Sequence, residues 1–186
     1  SPGEFVPRTN MLLGYEQLNR NTLYTLNSFK AQYGYSWKEN KRKEHQLNPI
    51  SISYVNPINI TQLYRDSILR NPTLARITDR QFIIGSTYNY NYNQLLGNTN
   101  QTGLYFNGLI DIAGNILGLA TGADWRTNDT ISFLGSPFSQ YVKAEMDIRY
   151  YKQFSKKINW ANRMIFGYGL PYGNSKQIPF VKQFFA

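Results

Sequence analysis

Residues 140–150, Gln140-Tyr-Val-Lys-Ala-Glu-Met-Asp-Ile-Arg-Tyr150, alternate without interruption between polar or charged and apolar side chains. Successive strand residues point to opposite faces, so Lys143, Glu145, Asp147 and Arg149 line one face with Tyr141. Val142, Ala144, Met146, Ile148 and Tyr150 line the other. Two environments accept such a strand. The apolar side can cover the core of a soluble β-protein, or it can face lipid while the charges line a water-filled barrel.

Six further segments share the two-residue period, at 10–16, 28–38, 50–54, 82–93, 104–112 and 160–170. In 28–38, Phe29, Ala31, Tyr33, Tyr35 and Trp37 oppose Lys30, Gln32, Gly34, Ser36 and Lys38. In 82–93, Tyr88, Tyr90 and Tyr92 oppose Asn89, Asn91 and Asn93. One region reads as helix, 60–70, where Leu63, Ile68 and Leu69 are apolar and Asn71-Pro72 ends the run. It lies in a long connection, 56–80. Connections 39–46, 95–103 and 153–159 are short, while 56–80 and 118–139 are long. That alternation predicts an up-and-down antiparallel sheet with tight turns at one end and extended loops at the other. Connection 18–27 falls on the long-loop side yet is short.

Composition narrows the classes. The chain has 186 residues, no cysteine and a formal charge of +9. Thiolate metal sites and disulfides are thereby excluded. The charge raises nucleic acid as a partner, but the densest basic run, 38–45, is short, broken by Glu39 and Glu44, and reads as a solvated turn. No nucleic acid is expected. Apolar runs are far below the ~20 residues of a membrane-spanning helix. Residues 1–5 lack the basic and apolar regions of a signal peptide.

The aromatics favour lipid. Trp37, Tyr90, Tyr92, Tyr150 and Trp160 all belong to apolar faces and all sit beside a short turn. A bilayer gathers amphipathic rings at headgroup level, whereas a soluble core has no reason to gather them at one end of its strands. A soluble sandwich or propeller would alternate too. Glu145 and Asp147 could present paired carboxylates for glycoside hydrolysis, but Lys143 and Arg149 flank them and favour a lumenal charge ladder. His45, the single histidine, reads as a solvent-exposed turn residue. Gly167-Tyr-Gly169 ends a strand without a following helix and carries no dinucleotide signal.

The final stretch, Phe166-Gly-Tyr-Gly-Leu-Pro-Tyr-Gly-Asn-Ser-Lys-Gln-Ile-Pro-Phe-Val-Lys-Gln-Phe-Phe-Ala186, resembles the approach to extracellular loop six in the BamA/TamA family of outer-membrane assembly proteins. Ile178, Pro179, Phe180, Phe184 and Phe185 carry that likeness. Val6-Pro-Arg-Thr-Asn10, Tyr33-Gly-Tyr-Ser-Trp37 and His45-Gln-Leu-Asn-Pro-Ile-Ser-Ile-Ser-Tyr54 resemble its Bacteroidota lipoprotein branch, TamL. The resemblance implies an all-β fold, an antiparallel transmembrane β-barrel of which residues 1–186 supply strands five to eleven of sixteen. It also implies one short helix in an extracellular loop and no POTRA repeats in this chain. The function implied is folding and insertion of other outer-membrane proteins, without covalent chemistry or cofactor. The partners implied are outer-membrane lipid, the rest of the same barrel, nascent outer-membrane proteins, and periplasmic or inner-membrane assembly components. A porin-like or plugged transport barrel would share every strand-level feature, and an outer-membrane hydrolase is the remaining alternative.

Overall fold

The computed structural model describes residues 5–96, 102–121, 131–133, 135–155 and 157–183. The elements run β1 (Arg8–Arg20), β2 (Tyr24–Asn40), β3 (Lys43–Ile58), α1 (Gln62–Arg70), β4 (Gln81–Asn93), β5 (Gly103–Ala113), α2 (Asn115–Thr121), β6 (Ser132–Phe133), β7 (Ser136–Pro137), β8 (Tyr141–Ser155) and β9 (Ile158–Pro171). The long strands form one sheet in the order β1-β2-β3-β4-β5-β8-β9, every neighbour antiparallel. β6 and β7 pair only with each other. The all-β antiparallel expectation is met by seven strands, each longer than its alternating segment. Among the described residues the outer edges of β1 and β9 have no partner strand, so closure into a barrel is not seen.

The turn after β2 is Lys41-Arg42 alone, closed by Asn40, whose Oδ1 accepts from the amides of Arg42 and Lys43 at 2.9 and 3.1 Å. That corrects the reading of 38–45 as a solvated turn: the strands run through most of it. α1 begins where the hydroxyl of Thr61 accepts from the Tyr64 amide and stops at Asn71 before Pro72. Tyr64 is buried, its ring 4.8 Å from that of Tyr24 and its hydroxyl donating to the Leu74 carbonyl. α2 was not expected. It is short, follows Gly114 at φ 79°, and carries Gly118 in its middle, which weakens any helical signal in the sequence.

Between Leu47 and Ser51 strand β3 fits one residue more into its ladders than either neighbour does. Its pairing with β2 steps from Tyr33↔Ile50 to Tyr35↔Leu47, and with β4 from Ser51↔Gly85 to Asn48↔Thr87. This bulge holds Pro49, which has no N–H for the ladder. Its effect is a change of phase. Ile50, Ile52 and Tyr54 lie on the same face as Leu47 and His45, although their numbers differ in parity. Gly34 makes room for the bulge: a Cβ there would stand 2.1 Å from Asn48 Oδ1 and 2.5 Å from the Leu47 carbonyl oxygen.

The ladders are staggered in one sense. A row of paired residues crosses the sheet through Trp37, His45, Tyr90, Gly108, Met146 and Phe166. Towards the short turns, β2 continues three residues past this row to Asn40, whereas β9 continues eight to Ile158. Towards the other end β2 continues thirteen to Tyr24, whereas β9 continues five to Pro171.

Replacing Gly34 by Ala is expected to destabilise the fold by about 1–3 kcal/mol, because the added methyl meets backbone on the opposite strand. Denaturant unfolding of the variant beside the parent checks it; an unchanged midpoint would mean that the bulge relaxes at no cost.

Candidate functional site: a sheet with two unlike faces

Register carries the alternation of each strand across the whole sheet. Met11, Tyr33 and Ile50 form one cross-strand row, and Ile112, Val142 and Leu170 another, on what we call the apolar face. Most of that face is open. Met11, Leu13, Tyr15, Ile110, Met146, Met164, Phe166 and Tyr168 are exposed, Leu13 to 80%. No second layer covers it among the described residues, except that Phe133 of the small hairpin lies 5.5 Å from Phe82. At its centre Gly108 and Ala144 leave a depression of about 540 Å³ walled by Tyr88, Phe106, Phe166 and Tyr168.

The five aromatics singled out from the sequence all occupy this face. Trp37 and Tyr90 share the row that runs through His45. Tyr92 lies two residues nearer the turns, Tyr150 four and Trp160 six, so they descend as the sheet is crossed from β2 to β9. Tyr150 and Trp160 meet edge to face at 5.9 Å.

His45 departs from expectation. It is buried at 8% exposure inside β3, not exposed in a turn. Its ring stacks on Trp37 at 4.9 Å with planes 3° apart, Nδ1 lies 2.8 Å from the Tyr88 hydroxyl, and Nε2 lies 3.0 Å from Glu39 Oε1. The phase change at Pro49 hid it, since the alternation of 50–54 does not extend through the bulge.

The opposite face carries the charges. Lys143, Glu145, Asp147 and Arg149 all lie there, and the arrangement is a network. Lys143 pairs with Glu145 at 2.6 Å. Arg149 stands directly opposite Arg163 on β9, a repulsive juxtaposition. Asp147 resolves it by accepting from both guanidinium groups, at 2.6 and 2.8 Å. Both carboxylates of the hydrolase alternative are therefore engaged by cations. Further across, Asn89 and Asn107 bond reciprocally, and Asn91 donates to the Tyr105 hydroxyl.

The segment after β9 folds back over this face. Ile178 packs on Ile83, Ala113 and Tyr141, an apolar cluster at the long-connection end of the otherwise polar side. Lys182 Nζ donates to Asp111 at 2.7 Å, and Tyr141 donates to the same carboxylate. Pro179 is buried, and the backbone of Phe180 opens a short 3-10 turn. Phe184 and Phe185 lie outside the described residues. Gln140 ties the segment down: its Oε1 accepts from the Asn174 amide, its own amide donates to Ser175 Oγ, and its Nε2 donates to the Gly114 carbonyl. Neither Gln140 nor Lys182 was singled out from the sequence, because each acts through contacts distant in the chain.

Among the described residues no helix is long and apolar enough to cross a membrane, which says nothing of strands. Comparison with protein-family models, with curated proteins and with solved structures gives no match to this chain.

Asp147→Ala should leave Arg149 and Arg163 face to face and weaken the β8–β9 pairing by about 0.5–1.5 kcal/mol. Hydrogen exchange of the β9 amides should quicken in that variant and much less in Arg163→Gln, which keeps one neutralised pair. Equal protection in Asp147→Ala and the parent would count against the bridge.

Proposed function

We propose that this chain is part of the wall of a bacterial outer-membrane β-barrel of the BamA/TamA assembly type, closest to TamL, which helps other outer-membrane proteins fold and insert. The apolar face lies against lipid and the charged face lines a hydrated interior. The observation that carries the membrane reading is the open apolar face: exposed Met, Leu, Ile, Phe and Tyr lie on six of the seven strands, with the half-buried Tyr88, Tyr90 and Tyr92 of β4 between them, a larger apolar strip than soluble surfaces ordinarily expose.

The stagger supports it. The aromatics descend six residues from Trp37 to Trp160 across five inter-strand steps. At ~3.3 Å per residue and ~4.8 Å per strand, the line they define is inclined by about 40° to the rows, the tilt of strands in outer-membrane barrels. A tilt of that size sets Trp37, Tyr92, Tyr150 and Trp160 at one height, as an interfacial girdle requires. The short turns then face the periplasm, and α1 lies in an extracellular loop.

The assembly function is inferred from the resemblance of 166–186 to the loop-six approach. That the Ile178-Pro179 stretch lies on the charged side agrees with a loop that enters the barrel mouth. By that resemblance an incoming strand is captured by unpaired backbone at a weak seam in a locally thinned bilayer, and these residues form the wall opposite or beside the seam. Glu145 and Asp147 are both engaged by cations, which speaks against this pair as acid and base, and the resemblance implies no covalent chemistry.

In proteoliposomes of the complete protein, a water-soluble maleimide should modify cysteines placed at 145 and 147 and spare one at 146; the reverse order would invert the faces. Depleting the protein should reduce the folded β-barrel proteins of the outer membrane. If depletion left them intact and abolished uptake of a solute, the transport barrel would replace the assembly factor. The 186 residues expressed alone should give no heat-modifiable species, since unpaired edge groups of β1 and β9 cost several kcal/mol each in hydrocarbon. A cooperative soluble monomer would overturn the lipid-facing assignment.

A further inference from the structure

At the long-connection end, the 3-10 turn Pro72–Thr78, the start of β4 and the segment after β9 enclose a cavity of about 500 Å³. That is within the range of small-molecule sites. Its wall carries three cations, Arg76, Arg80 and Lys176, and one carboxylate, Asp79. Among the described residues neither Arg80 nor Lys176 makes an ion pair. Confinement holds the Asp79 carboxyl above the usual carboxylate range, with Arg76 acting in the opposite direction. Three cations against one carboxylate leave the described wall net positive.

The wall is also pre-organised. Asn174 spans it, its side-chain amide donating to the carbonyls of Ile131 and Phe138 while its oxygen accepts from the Ile131 amide. With Gln140 gripping Asn174 and Ser175, Lys176 stands at the end of a fixed stretch. Neutral hydrogen-bonding groups are at hand in Ser139, Gln177 and Gln81. Gln81 is buried, and its carboxamide oxygen has no donor among the described residues. An unmatched buried acceptor is costly unless something supplies a proton.

We propose that this cavity binds a small hydroxylated anion, a sugar phosphate or sugar acid. Arg76, Arg80 and Lys176 hold the anionic group, and Ser139, Gln177 and Gln81 contact hydroxyls. Guanidinium groups suit phosphate and carboxylate because they donate two parallel hydrogen bonds. Gln81 and Ile178 belong to the polar side of the sheet, away from the exposed apolar face, which selects a soluble anion over a lipid head group. The inference holds whether or not the sheet spans a membrane, so its failure would not count against the assembly reading.

Calorimetry on the complete protein in detergent tests it with four probes: glucose 6-phosphate, glucuronate, inorganic phosphate and glucose. The first two should bind, inorganic phosphate more weakly, and glucose not measurably. Replacing Arg80 and Lys176 together by Ala should weaken glucose 6-phosphate by about tenfold or more, with thermal unfolding unchanged because both side chains are exposed. Asp79→Asn should tighten it. Absence of binding to the parent, glucose or inorganic phosphate binding as tightly as glucose 6-phosphate, or an unaltered affinity in the Arg80/Lys176 variant would each overturn the proposal.

Discussion

Every face assignment in this sheet depends on phase. In an antiparallel ladder a slip of one residue exchanges the two sides of a strand, and six ladders in series would pass such an error across the whole sheet. The bulge at Pro49 is where phase is adjusted. β3 places odd-numbered residues, His45 and Leu47, on the apolar face on one side of it and even-numbered ones, Ile50, Ile52 and Tyr54, on the other, and the extra residue brings both sets to that one face. The glycine at 34 is the matching concession on β2, since only a residue without Cβ leaves space for the Asn48 side chain. Asn48 then donates to Thr87 on β4, so the bulge is held from both sides.

The charged face shows a second constraint, neutrality at close range. β8 and β9 place Arg149 against Arg163, and β5 and β8 place Asp111 against Lys143. The first pair repels and is reconciled by Asp147; the second attracts, yet Lys143 lies 2.6 Å from Glu145 and Asp111 is taken by Lys182 and Tyr141. Recruitment of Lys182 links a sheet charge to the segment that crosses the face. The polar side thus carries several small groups of charge-assisted bonds, and within those centred on Asp147 and Asp111 removing the carboxylate strands more than one partner, the condition under which such groups stabilise more than their isolated pairs.

Legibility followed the range of the interactions. The seven strands and their two faces could be read because alternation is local, and α1 because Asn71-Pro72 marks its end. His45 was misplaced because the period it belongs to is interrupted at Pro49, a proline that looks like a turn, just before Ile50 resumes it in the other parity. α2 was missed because Gly114 and Gly118 blur a short helix. The descent of the aromatics could not be read at all: sequence gives each ring its distance from a turn, while the relation between strands exists only in the register. Nor could the seat of Ile178, which depends on Ile83, Ala113 and Tyr141 drawn from three different strands.

The distribution of the covering elements bears on which side is wet. α1 reaches the sheet through Tyr64 on Tyr24, the 3-10 turn through the Arg76 carbonyl on Gln81, and the C-terminal segment through Ile178 and Lys182, and all four contacts fall on the charged side. A soluble sandwich would use such elements, or a second sheet, to cover the apolar side, because exposed apolar area costs roughly 25 cal/mol per Å². Here the apolar side is left open apart from Phe133 on Phe82. Water would make that arrangement costly, since α1, the 3-10 turn and the C-terminal segment all lie on the face that needs no covering, while among the described residues only Phe133 reaches across the other. Lipid reverses the balance. On the membrane reading proposed above, a hydrocarbon solvent asks nothing of the apolar face, and loops that fold over the polar face find partners there for their backbone groups.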